Sequence, residues 1–222
     1  VSARSGETQF DLGDIVKLYS HEGAAYINDD WDITEKFSVS AGLRYTYFNQ
    51  VGPFDRYVQN QDLEIVDTIH YDSGESVQLY NHIEPRFSTR YILTKTSSAK
   101  ASVTQNYQYV HLASLSSASL PTDVWVPSST KVKPQIGWQY ALGYFKNLKE
   151  DLWETSVEVY YKEMKNQIEY REGAQPDDDI KNNQDNNFVY GKGWSYGAEF
   201  FIKKTKGRWN GWIGYTLSWT YR

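Results

Sequence analysis

Strict alternation of apolar and polar residues is the main pattern along this chain. From Phe37 to Tyr47 every second residue is apolar or aromatic, and serine, glycine, arginine and threonine fill the positions between them. Successive side chains of a β-strand point to opposite faces, so the pattern predicts a strand with one apolar and one polar face. The stretch Gly23–Ile33 alternates poorly but is predicted as a further strand. Similar alternating runs follow at 83–93, 99–109, 136–144, 153–161, 194–202 and 209–221.

The predicted strands are long, and no segment shows a helical period. Several runs extend over roughly 13–16 residues, whereas strands in soluble sheets usually have about 5–6 residues. A tilted strand needs only about 9–11 residues to cross a bilayer. Strands of this length would therefore cross a membrane and project beyond it.

Short and long connections alternate between the predicted strands. Compact polar turns are predicted at Thr34–Lys36, Thr94–Ser98, Asn147–Asp151 and Lys204–Arg208, and long links at Asn49–Asn81, Leu112–Lys133 and Lys165–Asn187. One end with tight turns and one end with long loops is typical of outer-membrane barrels, whose short turns are periplasmic and whose longer loops are extracellular. The sequence therefore predicts an all-β fold: a transmembrane antiparallel β-barrel segment of about eight long strands in four hairpins.

The positions of proline and aromatic residues agree with this arrangement. Four of the prolines fall in the long links, and Pro85 and Pro134 are expected near strand starts, where a missing backbone N–H costs least. Large rings flank the short turns, as they do in the aromatic girdles at the two water–lipid boundaries of a barrel. The flanking residues are Trp31, Phe37, Phe145, Trp153, Phe201 and Trp209.

Composition removes several classes of protein. The chain of 222 residues has no cysteine, which excludes disulfide scaffolds, cysteine-zinc sites, iron–sulfur clusters and thiol catalysis. Its 23 Lys and Arg against 28 Asp and Glu give a net charge of −5, so no nucleic-acid partner is expected. The longest uncharged run, Ala101–Thr122, contains too many polar residues to insert as a helix.

Soluble proteins also use amphipathic antiparallel strands, in sandwiches and barrels whose apolar face packs into a core. Strand length and the alternation of short and long connections favour the membrane barrel over a soluble β-sheet binding domain. A small, closed eight-stranded outer-membrane barrel is a further alternative.

Several segments resemble the C-terminal barrel of TonB-dependent outer-membrane receptors of the Bacteroidota type. The similar stretches are KLYSHEGAAYINDDWDITEKFSVSAGLRYTYF (Lys17–Phe48), HIEPRFSTRYILTKTSSAKASVTQNYQYVHLAS (His82–Ser114) and VYGKGWSYGAEFFIKKTKGRWNGWIGYTLSWTYR (Val189–Arg222). A strand with DxW, a turn and a strand ending in GLRY fit the family, as do EPR at the start of the next hairpin and the G-x-E of WSYGAEF.

The resemblance implies a chain of the outer membrane of a Gram-negative cell. It implies one part of the barrel wall, over residues 1–222, of a receptor that imports a scarce nutrient such as a siderophore, cobalamin, glycan or peptide. The implied partners are outer-membrane lipid, the receptor's plug domain and the TonB energy-transducing system, and a surface lipoprotein or the barrel-assembly machine are further candidates. Such barrels have 22 strands, so we expect the chain to be an interior segment that is ordered only within a longer barrel.

Candidate chemistry lies on the polar faces of the strands and in the long links. Charged residues on the polar faces are expected to line the lumen and to dock the plug: Arg44, Glu84, Arg86, Arg90, Glu158 and Glu199. Ligand contact is expected from the links: Trp125, which could stack on a sugar or anchor its loop, His111 at the outer end of a strand, and Asp177, Asp178 and Asp179 in an Asn/Asp-rich loop. The histidines lack zinc-type spacing and no G-x-S-x-G elbow is present. We therefore expect no metal, no cofactor and no enzymatic activity.

Overall fold

The computed structural model describes residues 17–60, 62, 64–113, 124–173 and 184–222, and nearly all of these residues lie in strands. The elements are β1 (Tyr19–Thr34), β2 (Phe37–Val51), β3 (Phe54–Gln59), β4 (Ile65–Tyr71), β5 (Ser76–Thr94), β6 (Ser97–Gln108), β7 (Val110–Ala113), β8 (Val124–Pro127), β9 (Gln135–Leu148), β10 (Trp153–Tyr170), a 3-10 helix (Gln184–Asn187), β11 (Phe188–Lys204) and β12 (Gly211–Tyr221). Among the described residues, no helix has the length and apolar character needed to cross a membrane.

Eight long strands form one antiparallel sheet in the order β1-β2-β5-β6-β9-β10-β11-β12. This arrangement confirms the predicted all-β fold of four hairpins. The short turns lie where they were predicted, between β1 and β2, β5 and β6, β9 and β10, and β11 and β12. The poorly alternating stretch at 23–33 is part of β1, which pairs with β2 along almost its whole length.

The long links contain structure that the sequence pattern did not predict. In the first link β3 and β4 pair as a small hairpin, and in the second β7 pairs with β8. The third link carries the 3-10 helix. The long strands also extend further into the links than predicted, because β2 continues to Val51, β5 begins at Ser76 and β10 continues to Tyr170.

The sheet has one apolar face and one polar, concave face. Leu142 lies beside Ala101 and Val159 in the cross-strand register, and this row continues on the same face to Leu217. Large side chains of this face, such as Leu142 and Leu217, are exposed. An exposed band of apolar side chains is what a barrel presents to lipid, while the alternate positions line the interior.

Two aromatic residues expected in the lipid girdle lie on the concave face instead. Phe145 and Phe201 both pair with Ser156, on the two sides of β10. The Phe145 ring lies over Gly143, where an added Cβ would come within 2.8 Å of the ring and 3.0 Å of the Glu158 side chain. The prediction was wrong for these two residues because closeness to a turn does not determine the face on which a side chain lies.

The junction between β5 and β6 is paired only in the half near their short turn. The ladder runs from Thr94 to Arg86, which faces Thr104, and among the described residues no further pair of these strands follows. Pro85 was expected near a strand start, but it lies in the interior of the 19-residue strand β5. The strand start was misplaced because β5 remains paired with β2 far beyond this proline, up to Ser76.

The missing N–H of Pro85 explains where the ladder stops. The Ile92 N–H donates to the Lys36 carbonyl on the β2 side, so even-numbered residues of β5 direct their backbone groups toward β2 and odd-numbered ones toward β6. Pro85 is the next residue due to donate to β6, and it has no proton to donate. We call this unpaired part of the junction the seam; it comprises residues 76–85 of β5 and 105–108 of β6.

Candidate functional site on the concave face

A recess of about 460 Å³ lies on the concave face near the short turns. One row of residues, each in register with its neighbour on the next strand, crosses the recess. Along this row a block of positive side chains is followed by a block of negative ones. The row runs in register through Asp32, Ser38, Arg90, Lys100, Gly143 and Glu158, and continues to Glu199. The recess is therefore an open, polar surface with charges fixed on neighbouring strands.

Like charges oppose each other twice in this row. Arg90 faces Lys100 across β5 and β6, and Glu158 faces Glu199 across β10 and β11. Directly opposed like charges destabilise a sheet unless another group compensates them. Within the described part of the chain, none of these four side chains forms a salt bridge. The arrangement suits a partner that brings charges of both signs to the concave face.

Lys100 has an aromatic partner in the same row. Its ammonium nitrogen lies 4.6 Å from the centroid of the Phe145 ring, within the range of a cation–π contact. The absence of a side chain at Gly143 gives the ring its place between Lys100 and Glu158. Phe145 thus separates the two blocks of opposite charge and holds the lysine in position.

A buried carboxylate marks the beginning of the seam. Glu84 is 3% exposed, and its Oε1 accepts the backbone N–H of Tyr107 at 3.0 Å. Its Oε2 lies 3.8 Å from Arg44 Nε and 3.9 Å from Arg86 Nη2. The carboxylate therefore replaces the carbonyl that β5 would offer to Tyr107 in a continued ladder, and two arginines offset its charge.

Beyond the seam the chain after β6 folds over the concave face of β2 and β5. Tyr109 stacks on Phe48 with ring centroids 5.1 Å apart, and its hydroxyl is 2.7 Å from Thr46 Oγ1 and 2.9 Å from His82 Nδ1. The His82 ring also stacks on Tyr107 at 3.8 Å. We call residues 109–113 with β8 the arm. It covers the inner face at the long-link end of the sheet.

Ser129, just after β8, joins the arm to two other parts of the chain. Its carbonyl accepts the Tyr80 hydroxyl at 2.7 Å, and its own hydroxyl donates to Asp185 Oδ2 at 2.7 Å. Lys131 also donates to the Asn186 side chain. An apolar cluster supports the same joint: Ala113, Val126, Val132, Tyr170 and Phe188. The second and third long links are therefore bound to each other and to the long-link end of β5.

Burial raises the pKa of Asp185, although Lys131 and Arg56 act in the opposite direction. Burial also lowers the pKa of His111, to about 4. His111 lies in β7 with Nε2 3.1 Å from Ser128 Oγ, and its side chain is 0% exposed. The expectation of an accessible histidine at the end of a strand was wrong, because the arm folds inward and carries this ring into its packed interior.

The other predicted site residues divide into three groups. Arg44, Glu84 and Arg86 come together at the seam, and Arg90, Glu158 and Glu199 share the row across the recess. Trp125 lies in β8 and is 64% exposed, so its ring is accessible, and its role in ligand contact stays a prediction. Asp177, Asp178 and Asp179 lie outside the described residues.

Sequence reasoning missed Lys100, Phe145 and Tyr109. Lys100 is one of many polar residues in its alternating run, and only the register of β5, β6 and β9 shows that it lies between Arg90 and Gly143. No alternation pattern could signal Tyr109, because the local fold turns it inward. The described residues contain no cluster of His, Asp and Glu that could hold a metal ion.

Comparison with known proteins places this architecture. A family model described as TonB dependent receptor-like, beta-barrel matches residues 5–222. The sequence matches none of the curated proteins compared with it.

Three solved structures illustrate the likeness. The alcaligin outer-membrane receptor of Bordetella pertussis has 15% identity and a TM-score of 0.57, with 92% of this chain and 31% of that chain covered. The FrpB iron transporter of Neisseria meningitidis has 14% identity and a TM-score of 0.58, with 93% of this chain and 27% of that chain covered. The pyoverdine outer-membrane receptor of Pseudomonas aeruginosa has 18% identity and a TM-score of 0.58, with 91% of this chain and 25% of that chain covered.

At these identities the structural likeness shows the fold alone, and the chain spans 25–31% of the length of these three structures. The family match, by contrast, covers all of the sheet and its links. Together with the eight-stranded amphipathic sheet, it places the chain in the outer membrane of a Gram-negative cell. The chain belongs to the TonB-dependent receptor-like β-barrel family.

Proposed function

We propose that this chain is part of the wall of an active importer that takes up a scarce nutrient. The observation that carries the proposal is the row of paired like charges on the concave face, within a sheet of the TonB-dependent receptor family. Its long links would face the medium and capture the nutrient, and its short turns would face the periplasm. A plug domain would close the lumen until energy from the TonB system displaces it.

The charged row is proposed as the place where the plug docks. A plug surface with carboxylates opposite Arg90 and Lys100, and with cations opposite Glu158 and Glu199, would remove both repulsions at once. Lipid contacts the apolar face in this proposal, and a surface lipoprotein or the barrel-assembly machine would bind elsewhere on the receptor. The role is transport rather than catalysis.

The nutrient belongs to one of four classes: siderophore, cobalamin, glycan or peptide. The three similar proteins are described as receptors or transporters for alcaligin, iron and pyoverdine, which makes a ferric siderophore the first compound to test. Trp125 on the second link is the proposed contact, because an exposed ring can stack on a flat ligand.

The test is uptake by cells that produce the full-length receptor, compared with cells that lack it. We expect receptor-dependent uptake of one of the four classes, and we expect it to stop when TonB is removed. Uptake that persists without TonB, or no uptake of any class, would contradict the import proposal.

Plug docking is tested separately with two matched substitutions on β10. Glu158→Gln changes the concave row, whereas Glu163→Gln changes a carboxylate whose neighbour is Lys165 at 3.4 Å. We expect Glu158→Gln to increase the influx of a large hydrophilic antibiotic through the receptor and Glu163→Gln to leave it unchanged. Equal influx in the two variants would show that the row does not hold the plug.

A further inference from the structure

The seam divides the sheet into two leaves at its long-link end. One leaf contains β1, β2 and β5, and the other contains β6, β9, β10, β11 and β12. Each leaf is continuously paired inside itself, since β2 pairs with β5 up to Ser76 and β6 pairs with β9 up to Gln108. Between the leaves, backbone pairing ends at Arg86 and Thr104. A sheet built this way can bend at one line without breaking any other ladder.

The position of the seam along β5 fits a membrane barrel. A strand needs about 9–11 residues to cross the bilayer, and the paired part of β5 from Arg86 to Thr94 accounts for about that length. Backbone groups inside lipid must be satisfied by other backbone groups. The seam lies beyond that stretch, at the long-link boundary, where side chains and water can satisfy them.

Side chains close the seam at several heights. Nearest the ladder, the Arg86 guanidinium donates to the Asn106 side chain at 3.1 Å. Next, Glu84 accepts the Tyr107 N–H at 3.0 Å. Above these, His82 stacks on Tyr107, Tyr109 packs on Phe48 of the first leaf, and the Tyr80 hydroxyl contacts Ser129.

Glu84 differs from the other contacts because its partner is the backbone of β6. Side-chain pairs such as Arg86 with Asn106 can re-form with water or with other groups when the leaves separate. The Tyr107 N–H is an obligatory donor, and its bond to a carboxylate is charge-assisted and among the stronger hydrogen bonds of a protein. Its loss would remove the contact at the point where the two leaves begin to diverge.

We propose that the seam is a hinge in the barrel wall and that the bond from the Tyr107 N–H to the Glu84 carboxylate holds it closed. In the open state the second leaf tilts away from the first and carries the arm outward, which also separates Tyr109 from Phe48 and Ser129 from Tyr80. The space between the two leaves on the long-link side of the recess then widens. The role of this movement in uptake rests on the proposed import function. The movement itself requires neither nutrient nor energy.

The test measures distances between spin labels on β1 and β9 in the full-length receptor, in the absence of nutrient and of TonB. Gly23 and Gly137 lie on these strands beyond the ladder, and nothing lies within 4 Å of an added Cβ at either position. Ile33 and Leu148 lie on the same two strands near the short turns, and both are exposed. Labels attached to cysteine at 23 and 137 report the seam, and labels at 33 and 148 are the matched control.

We expect a second, longer distance between positions 23 and 137 and a single distance between 33 and 148. In Glu84→Ala the ratio of the longer to the shorter population should rise about tenfold, the effect of losing one charge-assisted hydrogen bond, while the control pair should not change. Glu84→Gln keeps an oxygen that accepts the Tyr107 N–H but loses the charge, so its ratio should lie between those of the wild type and Glu84→Ala.

One narrow distance for the 23–137 pair in both wild type and Glu84→Ala would overturn the hinge. A ratio in Glu84→Gln equal to that in Glu84→Ala would overturn the role given to the hydrogen bond. If Glu84→Ala does not assemble, the wild-type comparison of the two label pairs still decides, because a rigid wall gives equally narrow distances for both. Loss of uptake with the hinge intact would contradict the import proposal alone.

Discussion

The two halves of the β5–β6 junction hold the same two strands together in different ways. Near the short turn, backbone groups of Arg86–Thr94 pair with those of Ser97–Thr104. Near the long links, the same two strands are joined by side chains, chiefly the Glu84 carboxylate and the ring of Tyr107. The first half is a backbone ladder that many sequences could form, and the second half depends on particular residues.

The difference follows from the surroundings of each half. Lipid offers no hydrogen bonds, so the ladder half must be satisfied by its own backbone. The seam half lies where polar side chains and water are available, so a proline can interrupt the ladder there without leaving a buried donor in lipid. Contacts between β5 and β6 that depend on particular side chains are therefore expected on the long-link side of Pro85, and backbone pairing on the short-turn side.

Proline scanning along β5 should give the largest contrast between the halves. Thr89 and Ile83 are both odd-numbered, so both direct their backbone toward β6, but only Thr89 has a ladder partner there, Ala101. Thr89→Pro should remove a ladder hydrogen bond within lipid, at a cost of several kcal/mol, and block assembly of the barrel. Ile83→Pro should cost less than about 1 kcal/mol.

The measurement is the fraction of full-length receptor that reaches the outer membrane as a heat-resistant barrel. If Ile83→Pro is as damaging as Thr89→Pro, the two halves do not differ in backbone pairing and the seam does not exist in the membrane.

Arginine substitution tests the two faces of the ladder half. Leu142 lies on the exposed apolar face, and Ala141 beside it lines the recess. Leu142→Arg should cost about 2–4 kcal/mol, the penalty for a lipid-facing arginine near the bilayer midplane, and Ala141→Arg should cost less. Urea unfolding in lipid vesicles measures both.

In the seam half, arginine substitutions on the two faces should have similar costs. Thr46 is on the polar side of β2, yet it is buried under the arm and bonded to Tyr109. Thr46→Arg should therefore be as harmful as a substitution on the lipid face. A milder effect of Leu142→Arg than of Ala141→Arg would contradict the assignment of the faces.

Acid should loosen the seam half and spare the ladder half. The pKa of His111 falls from 6.5 to about 4 on burial, so the folded arm holds the ring neutral. Its contribution is present above pH 6.5 and is lost as the pH falls toward 4, by as much as about 3 kcal/mol. Proteolysis after β7 should therefore rise between pH 6.5 and 4 in the wild type.

His111→Gln has no proton to gain in this range and is the control. Its cleavage rate should change little with pH, and a steep rise in this variant would assign the acid response to another group.

Asp185 should give a response of the opposite sign. Burial raises its pKa, so its contribution to stability is present below its ordinary value of 3.8 and is lost as the pH rises through the raised pKa. The 3-10 helix that carries Asp185 should therefore be more stable in acid, although the hydrogen bond from Ser129, which favours the ionised carboxylate, opposes this effect. Hydrogen exchange of residues 184–187 should slow as the pH falls toward that range, once corrected for the intrinsic rate.

Asp185→Asn should remove this pH dependence while keeping an oxygen for the Ser129 hydroxyl. An unchanged pH profile in the variant would show that another group is responsible.

Sequence alone predicted the ladder half well and the seam half poorly. The alternation from Phe37 to Tyr47 is enough to place β2 and its faces, because a two-residue period has one structural meaning in a strand. Pro85 was misplaced, because one sequence cannot show that its missing N–H faces β6 while β2 stays paired. The burial of His111 and the inward turn of Phe145 depend on contacts between strands that are distant in sequence.

Hydrogen exchange of the odd-numbered amides of β6 in the full-length receptor tests the contrast between the halves most directly. Ala99, Ala101 and Val103 face β5 backbone partners, whereas Tyr107 donates to the Glu84 side chain. The account predicts slow exchange for the first three amides and clearly faster exchange for Tyr107, with a further increase in Glu84→Ala. Equal protection of all four amides, unchanged in Glu84→Ala, would contradict it.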